Sequence, residues 1–235
     1  MDKKEIRAEV WTTLKAAGAA RFPGARGRIP NFVGAEAAAE QLRETSEWRD
    51  ALTIKCNPDL PQRPIRRAAL VEGKTVFMAV PKLSETEPFI MLDPGFIDPK
   101  DYWKASSIKG AAQFGRPVSI DEMPLIDLIV TGCVAVSSDG TRLGKGGGYS
   151  DLEYGLLRHF GKIDAATTVA TSIHEVQLME AGEVPREPHD VTIDLVALSD
   201  GVLRFAPVDD RPSGILWEAL EDSKREAIPV LRDWS

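Results

Sequence analysis

The sequence has few cysteines, no long apolar run and no broad excess of positive charge, and each shortage excludes a class of function. Its two cysteines, Cys56 and Cys133, lie in segments that we predict to be strands, and neither has a second cysteine or a histidine beside it at metal-ligand spacing. We therefore interpret both as buried thiols. No stretch approaches the roughly 18 apolar residues that a membrane span needs, and the N-terminus is charged and amphipathic. These features favour a cytoplasmic protein with no membrane partner.

Positive charge is scarce and unevenly distributed. The formal net charge of −7 argues against a general nucleic-acid binder, whose affinity rests on a broad basic surface. Residues 1–28 carry seven basic and three acidic residues, whereas residues 176–235 carry 13 acidic and six basic residues. An anionic ligand would therefore find its partners at the N-terminal end. Nucleic-acid binding through this basic region is an alternative, and it predicts an affinity that falls steeply with salt.

What the sequence does have is the alternation of helical and strand patterns that is typical of a layered α/β fold. Helical periodicity and composition predict helices at 3–17, 34–44, 65–72, 104–114, 150–160 and 216–227. Short apolar runs predict strands at 51–57, 74–81, 89–93, 117–121, 167–172, 191–198 and 201–205, and a further β-rich run begins at Ile126. We predict one domain over residues 1–235 with three layers, a mostly parallel sheet with helices on both faces. Ligands of such sheets bind at the carboxyl ends of the strands.

A glycine-rich loop precedes the helix predicted at 150–160. Its glycines lie at positions 144, 146, 147 and 148, and Lys145 lies among them. Glycine lets backbone N–H groups approach an anion closely and permits the positive φ angles that point successive N–H groups into one hollow. We therefore predict a phosphate-binding loop in which Lys145 complements the anion. The alternative is a hairpin with an Asp139-Gly140 turn followed by a flexible glycine tract.

This loop matches neither of two common nucleotide-binding motifs. A Walker loop has four residues between its first glycine and the Gly-Lys-Ser/Thr, but only three residues separate Gly140 from Gly144, and Gly146 occupies the hydroxyl position. A dinucleotide fingerprint that starts at Gly144 would need glycine where Tyr149 stands. The loop is therefore neither a P-loop nor a Rossmann fingerprint.

Three charged residues outside the glycine run are candidates to act together with the loop, and each has two interpretations. Lys3 and Arg7 lie four residues apart on the first predicted helix, so they share one face. They form either a cationic clamp on phosphate oxygens or an ordinary solvated helix face. Asp151 stands at the start of the helix after the loop, where it is either an N-cap residue or a ligand that holds Mg²⁺ against bound phosphates.

Four separate segments match the pattern of one enzyme family. They are RLGKGGGYSD at 142–151, KKEIR at 3–7, IDLIV at 126–130, and a set formed by Gln177, Pro185, His189-Asp190 and Asp194. The first is similar to the signature loop of the 5-formyltetrahydrofolate cyclo-ligase family, also called methenyltetrahydrofolate synthetases. The second matches the family's N-terminal lysine and arginine, and the third matches its strand before the loop. The chain therefore resembles this family at both ends and in its core.

Other segments look like a divergent branch, the methenyltetrahydrofolate synthetase domain-containing proteins. They are RIPNFVGA at 28–35, NPD at 57–59 with PQRP at 61–64, SSIKG at 106–110, and DLEY at 151–154. The chain also departs from the usual family pattern. Ser150 replaces the second of two aromatic residues before the aspartate, and Thr131-Gly132 replaces Pro-Gly. These departures leave the choice of substrate open.

The resemblance implies a ligase of one-carbon metabolism that uses ATP and Mg²⁺ to convert 5-formyltetrahydrofolate to 5,10-methenyltetrahydrofolate. ATP phosphorylates the N5-formyl oxygen, N10 attacks the activated carbon, and phosphate leaves as the ring closes. Such phosphoryl transfer is catalysed mainly by positioning and charge stabilisation, without a protein nucleophile. The partner would be a folate-like small molecule, and the enzyme would be a monomer or a homodimer. The alternative is a non-catalytic protein that binds nucleotide or folate on the same fold.

The resemblance also implies a role for each candidate residue. Those implied to be catalytic are Arg142, Lys145 and Tyr149, and Asp151 would bind Mg²⁺. Those implied to bind ATP are Lys3, Arg7, Gly144, Gly146, Gly147 and Gly148.

Histidine and aromatic side chains add two further candidates. His189-Asp190 could pair across the site or could hold the turn before the strand predicted at 191–198. Tyr149 and Trp103 could stack on adenine or on a pterin ring, or could pack in the core.

Overall fold

An eight-stranded sheet forms the middle layer of the computed structural model, which describes residues 1–206 and 211–232. In chain order the strands are β1 (Thr53–Cys56), β2 (Thr75–Ala79), β3 (Phe89–Leu92), β4 (Arg116–Val118), β5 (Leu128–Val130), β6 (Ala135–Ser137), β7 (Arg142–Leu143), β8 (Thr168–Ser172), β9 (Leu178–Met179), β10 (Leu195–Leu198) and β11 (Gly201–Arg204). The large sheet has the order β11-β10-β8-β5-β1-β2-β3-β4, and β7-β6-β9 form a smaller second sheet.

The centre of the large sheet is parallel and both of its edges are antiparallel. Strands β10, β8, β5, β1 and β2 run parallel, each beside the next. Strand β11 pairs antiparallel with β10 at one edge, and β3 and β4 continue the sheet in antiparallel order at the other. Neighbouring parallel strands are joined by crossover connections, which are usually helices, so helices are expected on the faces of this parallel centre.

The described chain has helices that cover both faces of that sheet and a first helix that packs elsewhere. They are α1 (Lys3–Ala16), α2 (Ala35–Arg43), α3 (Ser46–Asp50), α4 (Arg63–Val71), α5 (Tyr102–Ala105), α6 (Ile108–Phe114), α7 (Tyr149–His159), α8 (Asp222–Ala227) and α9 (Pro229–Arg232). Leu42 of α2 and Leu70 of α4 pack in one core with Val130, whereas Leu156 of α7 packs in a second core with Ile129. Neighbouring residues of β5 point to opposite faces. The predicted three-layer, mostly parallel α/β fold is therefore confirmed.

The first helix packs on the small sheet and not on the large one. Its apolar stripe, Ile6, Val10 and Leu14, is buried with Ala135 of β6 and Leu143 of β7. These three residues recur at the spacing of one helix face, which is the reason the sequence predicts this helix well. The small sheet leads directly into the glycine-rich loop, so the packing of α1 carries the basic start of the chain to that loop.

Two predicted helices are interrupted in the structure. The helix predicted at 104–114 is two helices, because Ser107 stands in extended conformation between them and caps the N–H of Gly110 with its hydroxyl at 3.0 Å. The helix predicted at 216–227 is a 3₁₀ turn, Trp217–Ala219, followed by α8, because Leu220 and Glu221 between them are not helical. Beyond the predicted range, Pro229 has no N–H and disfavours helical geometry in the residue before it, which separates α8 from α9.

The strand predicted at 191–198 begins only at β10. The N–H of Val191 donates to Asp151, and the N–H of Ile193 donates to the carbonyl of Gly140. These two donors therefore bond outside the large sheet, and the segment before Leu195 serves the loop region instead. The two-residue strand β9 and the short helix α3 were not predicted, since each is too short for a periodic signal.

Both cysteines are buried free thiols, as predicted. Cys56 ends β1, but Cys133 lies just after β5 and not in a strand. Burial raises the pKa of Cys133 to about 11 despite the neighbouring Thr171 hydroxyl and Arg142. Among the described residues, no helix is both long enough and apolar enough to cross a bilayer.

Candidate functional site

A cavity of about 350 Å³ lies at the carboxyl ends of β1, β2 and β5. Asn57, Val80 and Gly132, each within two residues of the end of one of these strands, line one side of it. The loop at 144–148, called the glycine tract below, and the first turn of α7 line the other side. This is the edge at which a parallel α/β sheet is expected to bind ligands.

The glycine tract connects a hairpin to the start of α7. Strands β6 and β7 form the hairpin, whose turn contains Asp139 and Gly140, so the hairpin alternative is correct for these residues. Gly146 and Gly148 have φ angles of 105° and 68°, which side chains rarely adopt. Gly148 is the N-cap residue of α7. The free N–H groups of that first turn therefore lie beside the cavity, an arrangement that suits an anion.

Arg7 contacts the glycine tract, and Lys3, one helical turn earlier, is paired with Asp190. Arg7 Nε donates to the carbonyl oxygen of Gly144 at 2.7 Å, and a Cβ added at Gly146 would lie 3.5 Å from Arg7 Cζ. Lys3 Nζ lies 2.5 Å from Asp190 Oδ2, and its side chain is only 20% exposed. A freely solvated helix face is therefore excluded for both residues. Arg7 and the loop are therefore in contact, although Arg7 and Gly144 are 137 residues apart in sequence.

Arg142 and Asp151 form a buried ion pair at the wall of the cavity. Arg142 Nη2 donates to Asp151 Oδ1, which also accepts the N–H of Val191 at 3.0 Å. Burial alone would raise the pKa of Asp151, but the Arg142 guanidinium and these hydrogen bonds hold that pKa below its usual range. Asp151 therefore stays ionised at neutral pH. It lies in the first turn of α7, but it is not the N-cap residue, because Gly148 holds that position.

Lys145 extends from the glycine tract and is half-exposed. Its Nζ lies 3.3 Å from Oδ1 of Asp59, three residues beyond β1 on the opposite side of the cavity. The pair spans the opening between the tract and the large sheet. Because an exposed ion pair holds its partners weakly, Lys145 is free to turn toward an anion that enters the cavity.

A second buried ion pair forms the floor of the cavity, and the sequence did not identify it. Lys55 Nζ donates to Glu153 Oε2 and to Asn57 Oδ1, and Asn57 Nδ2 donates to Ser150 Oγ at 2.6 Å. The Lys55 and Glu153 side chains are 2% and 7% exposed. A signal was present, since Lys55 is the one charged residue in an otherwise apolar run from Ile54 to Cys56. A lysine in a buried strand needs an acidic partner.

His189 and Asp190 belong to a structural cluster around Lys3. Asp190 Oδ2 accepts the N–H of Glu187 at 2.7 Å as well as the Lys3 ammonium, and His189 Nε2 lies 3.2 Å from Glu187 Oε2. The side chains of Glu187, His189 and Asp190 are close enough to hold a metal ion. The ammonium group of Lys3 already supplies the positive charge there. The interpretation that His189-Asp190 holds the turn is therefore favoured.

The two aromatic candidates differ in position. Tyr149 lines the cavity, and its ring has the Lys224 ammonium 6.0 Å from its centroid. Trp103 is not among the residues that line the cavity; it is half-exposed, and the Arg63 guanidinium lies 3.9 Å from its ring centroid. Trp103 therefore neither packs in the core nor faces the cavity. Of the two, only Tyr149 is placed to stack on a ligand.

The sequence model of the 5-formyltetrahydrofolate cyclo-ligase family matches residues 1–199, which include α1, the glycine tract and both buried ion pairs. The chain belongs to this family. The resemblance on which the sequence prediction rests is therefore confirmed.

Relatives of known sequence match the divergent branch of the cyclo-ligase family. The methenyltetrahydrofolate synthase domain-containing protein of Mus musculus is 37% identical over 235 residues, covering 99% of this chain and 63% of that protein. Its Homo sapiens counterpart is 32% identical over 234 residues, covering 99% of this chain and 61% of that protein. The chain thus spans about three fifths of the length of these relatives.

A solved structure of the family has the same fold. The NMR structure of the Aquifex aeolicus 5,10-methenyltetrahydrofolate synthetase superposes with a TM-score of 0.52 at 18% sequence identity. The match covers 87% of this chain and 93% of that one. At this identity the likeness concerns the fold alone.

Proposed function

We propose that this cyclo-ligase family member converts 5-formyltetrahydrofolate to 5,10-methenyltetrahydrofolate with ATP and Mg²⁺, or performs the same chemistry on a related N-formyl or amine substrate. The observation that carries the proposal is the contact of Arg7 with the glycine tract, which itself lines a cavity on the carboxyl edge of the sheet. The family's N-terminal arginine and its signature loop, which lie far apart in sequence, are thereby in contact, and we propose that they bind phosphate together.

The chemistry requires an oxygen to be made into a leaving group. A formamide oxygen leaves poorly, and its phosphorylation by ATP allows N10 to close the ring as phosphate departs. A protein assists such a transfer mainly by aligning the two molecules and by stabilising charge on the transferred phosphoryl group. A cation about 4 Å from a phosphate oxygen at a partly buried site gains on the order of 4 kcal/mol before desolvation is subtracted.

The cations around the cavity are suited to divide that work. Arg7 is held by the carbonyl of Gly144, and its guanidinium lies against Gly146, so it is fixed where the tract would bind phosphates. Lys145 is held only by an exposed contact with Asp59 and can move to the transferred phosphoryl group. Arg142, in contrast, is buried with Asp151, so we propose that it orients the loop and the carboxylate and does not travel to the substrate.

The residues present fit the Mg²⁺ that accompanies ATP. Mg²⁺ prefers oxygen ligands and usually binds proteins through one or two carboxylates plus substrate phosphates. Asp151 lines the cavity and stays ionised because Arg142 lowers its pKa. We propose that Asp151 holds the ion, which would neutralise phosphate charge during the transfer.

A folate or nucleotide fragment can enter a cavity of this kind. Ligand sites are typically some 300–1,000 Å³ in volume and mostly apolar, with a few placed polar groups. The cavity of about 350 Å³ combines apolar walls from Ile29, Ala79 and Ile108 with the polar glycine tract. The phosphates would bind at the tract and the ring system against the apolar wall.

One assay tests the proposal directly. The purified chain is incubated with Mg-ATP and 5-formyltetrahydrofolate while the absorbance of the methenyl product is followed. We expect product that requires both ATP and Mg²⁺, with reactions lacking either one as controls. Absence of product at high protein concentration would refute the proposed turnover.

A second candidate is a protein that binds nucleotide or folate without turnover. The charges of the site satisfy one another, Lys145 with Asp59 and Arg142 with Asp151, and Ser150 stands where the family usually has an aromatic residue. This candidate predicts saturable ATP binding in calorimetry together with no methenyl product. The two measurements on one preparation separate the candidates.

A further inference from the structure

Four polar side chains in the floor of the cavity form a hydrogen-bonded chain. Lys55 donates to Glu153 and to Oδ1 of Asn57, and Nδ2 of Asn57 donates to Ser150 Oγ at 2.6 Å. Lys55 and Asn57 are almost completely buried, at 2% and 3% exposure. Ser150 and Glu153 line the cavity. The chain thus runs from the interior of the protein to a hydroxyl group at the binding surface.

The direction of every bond in this chain is fixed by its buried end. An ammonium group has donors only, so Lys55 requires the carbonyl oxygen of Asn57 to face it. The amide NH₂ of Asn57 must then face Ser150, and its N–H makes Ser150 Oγ an acceptor. The Ser150 proton consequently points elsewhere. Ser150 Oγ donates to no other group in the described part of the chain, 1–206 and 211–232, so the proton is available to the cavity.

We propose that Ser150 is a ligand-binding residue that donates its hydroxyl proton to the molecule in the cavity and selects an oxygen acceptor at that position. The acceptor is a carbonyl, carboxylate or phosphoryl oxygen. An N–H group at the same place is disfavoured, because it would take the remaining lone pair of Ser150 Oγ and leave the hydroxyl proton without an acceptor in the described part of the chain. The inference rests on the proposed function and deepens it, since it assigns substrate selection to the residue at which this chain departs from the family loop.

The Lys55–Asn57 pair is then a positioning device. Lys55 is not among the residues that line the cavity, but it turns the Asn57 carbonyl inward, which prevents the Ser150 hydroxyl from donating inward. Glu153 balances the charge of Lys55 and so allows an ammonium group to stay charged in the interior. Without that charge, Asn57 could present either of its two ends to Ser150, and the donor would no longer be specified.

The test uses Ser150→Ala, with Ser150→Thr as the control that keeps the hydroxyl. Binding of two probes, Mg-ATP and 5-formyltetrahydrofolate, is measured separately by isothermal titration calorimetry. We expect Ser150→Ala to weaken at least one probe by about tenfold or more, the usual effect of losing one hydrogen bond to a charged or strongly polar oxygen. Weakened ATP binding identifies a phosphoryl oxygen as the acceptor, and weakened folate binding identifies a formyl or carboxylate oxygen.

Asn57→Asp tests the direction of the chain without removing Ser150. A carboxylate has acceptors only, so it accepts from both Lys55 and Ser150 and turns the Ser150 proton away from the cavity. The added negative charge also repels anions, and a double-mutant cycle separates the two effects. If the hydroxyl is the donor, Ser150→Ala adds no further loss of affinity in the Asn57→Asp background. Thermal melting of each variant shows whether it is folded.

The outcomes distinguish this inference from the proposed function. If the wild-type chain binds a probe and Ser150→Ala binds it equally well, the inference is overturned while the proposed function stands. If the affinity losses of Ser150→Ala and Asn57→Asp are additive in the cycle, the positioning role of Asn57 is overturned. Ser150→Ala alone still tests the role of Ser150 if Asn57→Asp is destabilised. If the wild-type chain binds neither probe, the proposed function and the inference fail together.

Discussion

Two buried ion pairs lie beside the same cavity, and they differ in how the chain makes them. Arg142 and Asp151 are nine residues apart, within the signature loop and the first turn of α7, whereas Lys55 and Glu153 join β1 to α7 across 98 residues. Both pairs are buried. The side chains of Arg142 and Asp151 are 3% and 11% exposed, and those of Lys55 and Glu153 are 2% and 7% exposed. Burial does not distinguish the pairs. Their separation in sequence does, because only the Arg142–Asp151 pair falls within one short sequence motif and can be recognised from it.

The comparison also separates ligand contact from support. Asp151 faces the cavity with a lowered pKa and suits a metal ion, while Lys55 is enclosed and acts through Asn57. Replacing only one partner of either pair is costly, because the remaining charge stays buried without a partner. The predictions below use that property to compare the two pairs.

Glu153→Gln gives the largest expected effect. It leaves the Lys55 ammonium buried without a counter-charge, so we expect the free energy of unfolding to fall by about 3–5 kcal/mol in urea titrations. The matched control is Lys55→Met combined with Glu153→Leu, which removes both charges and should recover most of the loss. A Glu153→Gln variant within about 0.5 kcal/mol of the wild type would show that this pair is not buried in solution.

Asp151→Asn should be comparably destabilising and should have an additional effect. It leaves Arg142 buried without its partner, for a loss of about 3 kcal/mol in the same titration. In contrast to Glu153→Gln, we expect it also to raise the Mg²⁺ concentration at which ATP binding is half-saturated. If the two variants respond identically to Mg²⁺, Asp151 is a structural partner of Arg142 and does not bind the ion.

Lys145→Ala should reverse this balance between stability and function. Its contact with Asp59 is half-exposed, and pairs of this kind contribute about 0.2–1 kcal/mol, so the melting temperature should hardly change. We expect ATP binding to weaken by about tenfold, which corresponds to roughly 1.4 kcal/mol. Lys15→Ala, which removes an exposed lysine from the last turn of α1, is the control. Equal ATP affinity in both variants would remove Lys145 from the site.

Asp139 in the hairpin turn gives the smallest effect and serves as an exposed reference. Burial alone would raise its pKa, but the Ser137 hydroxyl and the N–H groups of Thr141 and Gly182 lower it to about 2, from an ordinary 3.8. Because the pKa is lower in the folded state, this stabilisation is complete above about pH 4 and is lost as the pH falls toward 2.

Solvent screening limits the contribution of Asp139 to about 1 kcal/mol at most. Asp139→Asn should therefore be slightly less stable than the wild type at pH 6 and equal to it near pH 2, as measured by urea unfolding across that range. A difference that stays constant with pH would show that the hydrogen bonds of the turn, and not its charge, stabilise the hairpin.

Local patterns predicted the parts of the fold that they encode. The stripe of Ile6, Val10 and Leu14 predicted α1, and the glycines predicted a loop with positive φ angles, which Gly146 and Gly148 have. Contacts between residues that are far apart in the sequence leave no local pattern of this kind. Arg7 and the glycines were predicted to bind the same phosphates, but the bond of Arg7 to the Gly144 carbonyl was not predicted, and the partners of Lys55 and Lys145 depend on which strands are neighbours.

The two clearest wrong predictions have different causes. The stretch before β10 was predicted as a strand, but Val191 donates to the Asp151 carboxylate and Ile193 donates to Gly140, so tertiary contacts override a local preference. The helix predicted at 216–227 is divided by local geometry, since Leu220 and Glu221 are not helical between the 3₁₀ turn and α8.

The attachment of α1 has a consequence for motion. This helix is held by one apolar stripe on the three-stranded sheet, by Arg7 at the glycine tract and by Lys3 at Asp190. Its amide hydrogens should therefore exchange with solvent earlier than those of β1 or β5. A molecule bound at the tract would bridge helix and loop, so slowed exchange in the first 16 residues would report occupancy of the cavity without any chemistry taking place.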